Sequence, residues 1–112
     1  MTHAVEIRSY HLKPGTRHDF HRLMTQQALP MLRRWNVDVV ACGPSPHDAD
    51  AYYLIRAYAG LAEREASQDA FYGSDEWRQG PRTAILAAIE TYTSIVLILD
   101  DAALHALRQP SD

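Results

Sequence analysis

Residues 52–77 read YYLIRAYAGLAEREASQDAFYGSDEW, and this stretch decides the fold. Its opening is aromatic and β-branched, as a strand requires, and the strand is expected over Ala51–Ala59 with Gly60 ending it. From Leu61 to Phe71 the chain is rich in Ala and Glu and reads as a helix. Ala62, Ala66 and Ala70 recur every four residues beside Phe71, and this face is expected to approach the sheet. Ser74 restarts the helix as an N-cap, with Asp75 and Glu76 suiting the dipole of the first turn. A strand that runs straight into a helix in this way folds the helix back over its own sheet.

Upstream, His3–Leu12 reads as the first strand. Residues two apart share a face, so Val5, Ile7 and Ser9 point one way and Glu6, Arg8, Tyr10 and Leu12 the other. Lys13-Pro14-Gly15 is a turn, and Thr16 is the expected N-cap of a helix with Asp19 three residues on. Phe20, Leu23, Met24, Gln27, Met31, Leu32 and Trp35 form one stripe of that helix. Pro30 lies inside the stripe and has no N–H for the Gln26 carbonyl, which predicts a kink or break; Asn36 ends the helix. Val37–Cys42 is a second strand closed by Gly43. The polar loop 44–50 joins it to the third strand as an antiparallel hairpin.

Downstream, Gly80-Pro81 interrupts the helix, and Pro81 suits the start of the next segment, from which Ile85, Leu86 and Ile89 face inward. Glu90–Leu99 is the fourth strand. Its second half, Ile95–Leu99, holds no polar residue, which predicts cover on both faces. Asp101–Arg108 forms terminal helical turns through Leu104 and Leu107, and Pro110–Asp112 is expected to fray. The order β-α-β-β-α-β is the α+β, ferredoxin-like arrangement: one antiparallel four-stranded sheet with both long helices on one face. The other face lacks cover within so short a chain. A second copy is the expected cover, by sheet-on-sheet packing in a homodimer.

With 112 residues the whole chain, 1–112, is read as one domain, positions 101–112 being its C-terminal tail. It is 46% hydrophobic and 22% charged, with a formal net charge of −3 and no basic block, so nucleic acid is not an expected partner. No apolar run is long enough for a bilayer, and the N-terminus lacks the apolar core of a signal peptide. Cys42 is the single cysteine, which excludes an internal disulfide and fits a cytoplasmic location. Walker loops, dinucleotide fingerprints and cysteine clusters are absent from the sequence. No cofactor and no metal are expected.

Several stretches, in their order and spacing, resemble the NIPSNAP family within the dimeric α/β-barrel superfamily. They are Glu6-Ile7-Arg8-Ser9-Tyr10 with Leu12-Lys13-Pro14-Gly15, Leu29-Pro30-Met31-Leu32, Ala57-Tyr58 with Leu61-Ala62-Glu63-Arg64, and Asp75-Glu76-Trp77. The resemblance implies a ferredoxin-like protomer and a homodimer whose sheets close into a barrel. The superfamily includes cofactor-free oxygenases, haem-degrading enzymes, chlorite dismutases, lactone isomerases and proteins with no known reaction, so the fold alone assigns no activity. In its enzymes the pocket usually lies between sheet and helices, which implies that Glu6, Arg8 and Tyr10 look into it. The haem-degrading relatives carry an asparagine at the position of Arg8, a departure that argues against their chemistry here.

Arg8 and Tyr10 are the leading site candidates. An arginine in an apolar cleft binds a carboxylate or enolate bidentately, and a phenol beside it donates a hydrogen bond or moves a proton. The structural alternative is an Arg8–Glu6 ion pair and a core tyrosine. Tyr52, Arg56 and Tyr58 share a face of the third strand and would give an Arg/Tyr-rich surface beside the first; cross-strand packing and dimer contacts are the favoured explanation. Phe71, Tyr58 and Trp77 are expected to line the apolar part of the site, and Arg82 to clamp an anion at its mouth. The alternatives are helix-on-sheet packing and a surface salt bridge with Asp75 or Glu76. His11, ending the first strand, is the candidate general base. His18 and His21 lie one turn apart but are expected toward solvent, without a third metal ligand. Cys42 reads as a small buried residue rather than a nucleophile. The sequence thus points to a small apolar or aromatic metabolite with an anionic or carbonyl end. A metal- and cofactor-free monooxygenase or isomerase is the first alternative and a non-catalytic interaction module the second.

Overall fold

A computed structural model describes residues 1–108. The expected fraying of Pro110–Asp112 lies outside them. The chain runs β1 (Thr2–Leu12), α1 (Arg17–Leu23), a π-helical turn (Met24–Ala28), α2 (Leu29–Arg34), β2 (Asp38–Pro44), β3 (Ala51–Tyr58), α3 (Leu61–Tyr72), α4 (Asp75–Gln79), α5 (Arg82–Ala88), β4 (Ile89–Asp100) and α6 (Asp101–Leu107). All pairings in the sheet are antiparallel and its order is β2-β3-β1-β4. The α+β, ferredoxin-like architecture read from the sequence is therefore present, with both helical layers of the split βαβ on one face.

The turns follow from local chemistry. Gly15 at φ 81° and Asn36 at φ 59° occupy the left-handed region that stops β1 and α2. Thr16 precedes α1, but its hydroxyl donates back to the Lys13 carbonyl (2.7 Å) instead of capping the helix. The break forced by Pro30 is taken up one turn earlier. The helix widens over Met24–Ala28, where the Leu29 N–H reaches the Met24 carbonyl five residues back. Pro30 then sits in the first turn of α2, the position where a proline is best tolerated. Ser74 caps α4, its Oγ accepting from the Trp77 N–H at 3.2 Å.

Between helices and sheet lies the main core. Leu12, Phe20, Met24, Tyr52, Leu54, Phe71 and Ile85 are among its buried members. Phe20 stands edge-on to Tyr52 at 4.9 Å between centroids, tying α1 to β3. The far face carries a smaller cluster. Val5, Val40 and Ala57 pack under Leu104 of α6, so the terminal helix covers one end of a face that was expected to have no cover of its own. The expectation that β4 is covered on both sides does not hold within one chain. β4 is an edge strand, and Ile95 (59%) on the far face and Ile98 (58%) on the helix face remain exposed.

Candidate functional site

β1 builds the floor of the site. Its alternation puts Glu6, Arg8 and Tyr10 on the helix-covered face, and the register sets Arg56 of β3 opposite Glu6, with Ser94 and Tyr92 of β4 opposite Arg8 and Tyr10. α3 closes over them with an unexpected face. Ala62, Ala66 and Ala70 point outward and are exposed; Arg64, Gln68 and Tyr72, also four residues apart, point to the sheet. The reason is the buried Glu6 carboxylate, which selects donors rather than small apolar side chains above it.

Glu6 is fully buried and Arg56 nearly so, at 1% exposure. Arg56 Nη2 donates to Glu6 Oε1. Glu6 Oε2 accepts from Arg64 Nε (2.8 Å) and Gln68 Nε2 (2.6 Å), and Arg64 Nη2 forms an ion pair with it at 2.6 Å. Arg8 Nη2 lies 3.6 Å from Oε1. Burial alone would push this carboxyl up. The Arg56 charge and hydrogen bond, then the Gln68 bond and the Arg8 charge, outweigh it and hold the group at about 2. Three guanidinium groups thus surround one carboxylate. Arg56 also donates through Nη1 to the Tyr72 hydroxyl (2.8 Å), while its buried Nε–H has no partner among the described residues.

Arg8 is the member of this cluster that reaches open space. Its side chain is 13% exposed. Its Nε donates to Ser94 Oγ and its Nη1 to the Tyr72 hydroxyl, each at 3.1 Å. Its guanidinium carbon lies 4.9 Å from the Tyr92 ring centroid. Above it opens a cleft of about 670 Å³, lined by Arg8, Tyr10, Tyr72, Trp77, Arg82 and Tyr92 together with Gln68, Asp69, Gly73, Ile85, Leu86 and Ile89. That volume suits a small organic ligand. Tyr10 is 6% exposed. Burial first, then the neighbouring Tyr72, push its phenol up to about 12 against the pull of Arg8, so at neutral pH it holds its proton. Arg82 is exposed at the rim and makes no ion pair among the described residues, so the expected salt bridge to Asp75 or Glu76 is absent there. Glu76 is instead held by Arg34 Nη2 and Trp35 Nε1, both at 2.7 Å, which fastens α4 to α2.

Of the residues singled out from the sequence, Arg8, Tyr10, Trp77 and Arg82 meet in this cleft. Three do not. Phe71, 2% exposed, is packed below it against Trp35, Tyr72 and Trp77. Tyr58, 8% exposed, accepts from Gln68 Nε2 at 3.2 Å. His11 has the opposite strand parity to Tyr10 and sits half in solvent, 3.6 Å from Glu90, so the structure does not bring it to the cleft. His21, expected in solvent, instead bonds Tyr52 through Nδ1 at 2.6 Å. Tyr52 in turn lies 3.3 Å from Cys42 Sγ, and burial pushes the Cys42 thiol up, away from a nucleophile's state. Sequence reasoning missed Tyr72, Gln68 and Tyr92. The Arg64-Gln68-Tyr72 repeat was the available sign for two of them, and the cross-strand register of β4 on β1 for the third. Among the described residues no group of three or more His, Cys, Asp or Glu could hold a metal ion, and no helix is long and apolar enough to cross a membrane.

Comparison with known proteins follows the same lines. The family model for NIPSNAP matches residues 5–102. None of the curated proteins matches the chain at a significant level. A NIPSNAP family protein from Agrobacterium tumefaciens superposes with a TM-score of 0.80 at 15% identity, covering 88% of this chain and 87% of its own. An uncharacterised NIPSNAP domain protein from Burkholderia xenovorans gives 0.76 at 19% identity, covering 88% and 95%. A candidate antibiotic biosynthesis monooxygenase from Nitrosomonas europaea gives 0.63 at 14% identity, covering 84% and 95%. At these identities the structural likenesses establish the fold alone.

Proposed function

The chain belongs to the NIPSNAP family, and from that premise and the cleft we propose that it binds a small, largely apolar or aromatic metabolite through an anionic or carbonyl end. The observation that carries the reading is Arg8: a guanidinium held between Ser94, Tyr72 and the Tyr92 ring, at the floor of a cleft otherwise walled by Trp77, Ile85, Leu86 and Ile89. Its charge is not spent on a close ion pair, since Glu6 is served at shorter range by Arg56 and Arg64. An acceptor on a ligand is the group this arrangement lacks. Trp77, Tyr10 and Tyr92 offer faces and edges to a flat body, and Arg82 offers a second cation at the mouth. An interaction module without a pocket fits less well, because the cleft is open above Arg8.

We further infer a homodimer. Ile95 and Leu97 of β4, with Ile7 and Ile55 beside them in the register, form an apolar strip on the far face of the sheet. A second copy would remove it from water. The single cysteine, half-buried and with its thiol pushed up by desolvation, suits a reducing cytoplasm.

A cofactor-independent oxygenase or isomerase is the second reading. It is favoured by the fold shared with the Nitrosomonas protein and by a protonated Tyr10 in the same cleft as Arg8, where Tyr10 donates a proton while Arg8 stabilises enolate-like charge. Thermal unfolding against aromatic acids, phenols, lactones and haem tests the binding reading. A ligand raises the midpoint by mass action, and the shift disappears in Arg8→Ala. Equal shifts in the two proteins would remove the cleft from the account. Turnover of any compound that shifts the midpoint separates the two readings. Sedimentation equilibrium tests the dimer, which a folded monomer at micromolar concentration contradicts.

A further inference from the structure

The hydrogen bonds around Tyr72 determine which way its own proton points. A phenolic oxygen has two lone pairs and one O–H. Arg56 Nη1 (2.8 Å) and Arg8 Nη1 (3.1 Å) both donate to it. Guanidinium groups have no acceptor, so the Tyr72 proton cannot be returned to either. The hydroxyl donates to no other group among the described residues, and Tyr72 lines the cleft. The fold leaves the Arg56 Nε–H without a partner in the interior while aiming both terminal nitrogens, one at Glu6 and one at Tyr72. Arg56 positions that hydroxyl through Nη1, from a guanidinium fixed on its other side by Glu6.

Arg8 sets the kind of acceptor. A carboxylate is recognised by two parallel N–H groups of one guanidinium edge. Here Nε is taken by Ser94, Nη1 by Tyr72, and Nη2 leans to Glu6 at 3.6 Å. Nε is thus committed and its edge cannot grip a carboxylate, while the Nη1–Nη2 edge is shared with Tyr72 and faced by Glu6. Beside that shared edge the fold presents one hydroxyl donor, backed by two cations, and an Arg8 charge stacked on Tyr92.

We propose that Tyr72 and Arg8 form a binding site for a single charged oxygen conjugated to a flat ring or chain, that is, an enolate or phenolate, taken in its ionised form in preference to a carboxylate. This rests on the reading that the cleft takes a ligand, and it names the class. The two cations on the Tyr72 oxygen strengthen its O–H as a donor without rearrangement on binding.

The probes are 4-nitrophenol, which absorbs visible light only when ionised, its ring-substituted analogues, and benzoate as a carboxylate of similar size. The wild-type protein is expected to bind 4-nitrophenol as the coloured anion at a pH where the free compound is mostly neutral. It should prefer that anion to benzoate and bind more basic phenolates more tightly. Tyr72→Phe keeps the ring that packs on Phe71 and Trp77 and removes the hydroxyl. It should weaken phenolate binding about tenfold, as loss of a hydrogen bond to a charge predicts, and flatten the dependence on basicity. The wild-type colour change does not depend on the variant folding. Binding of the neutral phenol, equal or tighter binding of benzoate, or an unaltered Tyr72→Phe would each overturn the assignment while leaving the cleft as a binding site. Failure of all probes to bind the wild-type protein would overturn both.

Discussion

Replacing Glu6 by Gln tests the charge arrangement under the cleft. Glu6 has no exposed surface, and Arg56 beside it has 1%. Its carboxyl is held at about 2 in the folded protein against an ordinary value of 4.5. A folded value below the unfolded one means that the carboxylate stabilises the fold above pH 4.5, and that this contribution is lost as pH falls toward 2. The difference corresponds to roughly 3 kcal/mol. Glu6→Gln removes that component and leaves the Arg56 charge buried without its counter-ion, a change that costs about 3–5 kcal/mol at neutral pH. Urea denaturation at a series of pH values from neutral to acid reads both effects. Wild-type stability should fall steeply between about pH 4.5 and 2, with a smaller share from Asp38, whose carboxyl is lowered by its hydrogen bond to Arg108. The variant should start lower and fall less. Because a loss of this size is a large part of a small domain's stability, the double variant Glu6→Leu/Arg56→Met supplies the control. It removes both charges and should recover much of the loss. A Glu6→Gln protein as stable as wild type, with the same acid slope, would refute the idea that Glu6 is the ionised centre of the arginine cluster.

Other outcomes follow from single contacts. Ser74→Ala should cost about 1 kcal/mol, because Ser74 Oγ accepts the Trp77 N–H at the start of α4; equal urea midpoints would deny the cap. His11→Ala should leave ligand binding and any turnover unchanged, since His11 lies on the far face beside Glu90; a loss of either would return it to the site. Cys42 should react slowly with thiol reagents in the folded protein, because burial keeps it a thiol; labelling as fast as in the unfolded chain would contradict the contact with Tyr52.

The architecture was legible because its carriers are local. Alternation in β1, the strand-to-helix stretch 52–77 and the turn residues Gly15 and Asn36 each specify their own conformation. The same alternation brought Arg8 and Tyr10 to the helix side, and with them half of the site. What was misread depended on partners distant in sequence. The alanine face of α3 looked like the buried one because small apolar residues usually pack closely. Glu6, more than fifty residues earlier, reversed that choice by drawing Arg64, Gln68 and Tyr72 inward. The widened turn before Pro30 shows the same limit on a smaller scale: the proline predicts a break, and packing decides where the extra residue goes. Tyr58 and Phe71 were assigned to a ligand because aromatic residues serve cores and pockets alike, and only the tertiary contacts separate the two roles.

The central claim is that a ligand's charged or carbonyl oxygen meets Arg8 in the cleft between sheet and helices. A nitrogen-15 NMR titration with benzoate and with 4-nitrophenolate tests it most directly. The account predicts that at least one of them shifts the Arg8 side-chain Nε–H resonance and the amides of Tyr72, Arg82 and Tyr92 together to saturation. The amides of Val5, Ile55 and Leu104, under the far face, should stay in place. Shifts centred on that far face, or an Arg8 resonance unmoved by either compound, would contradict it.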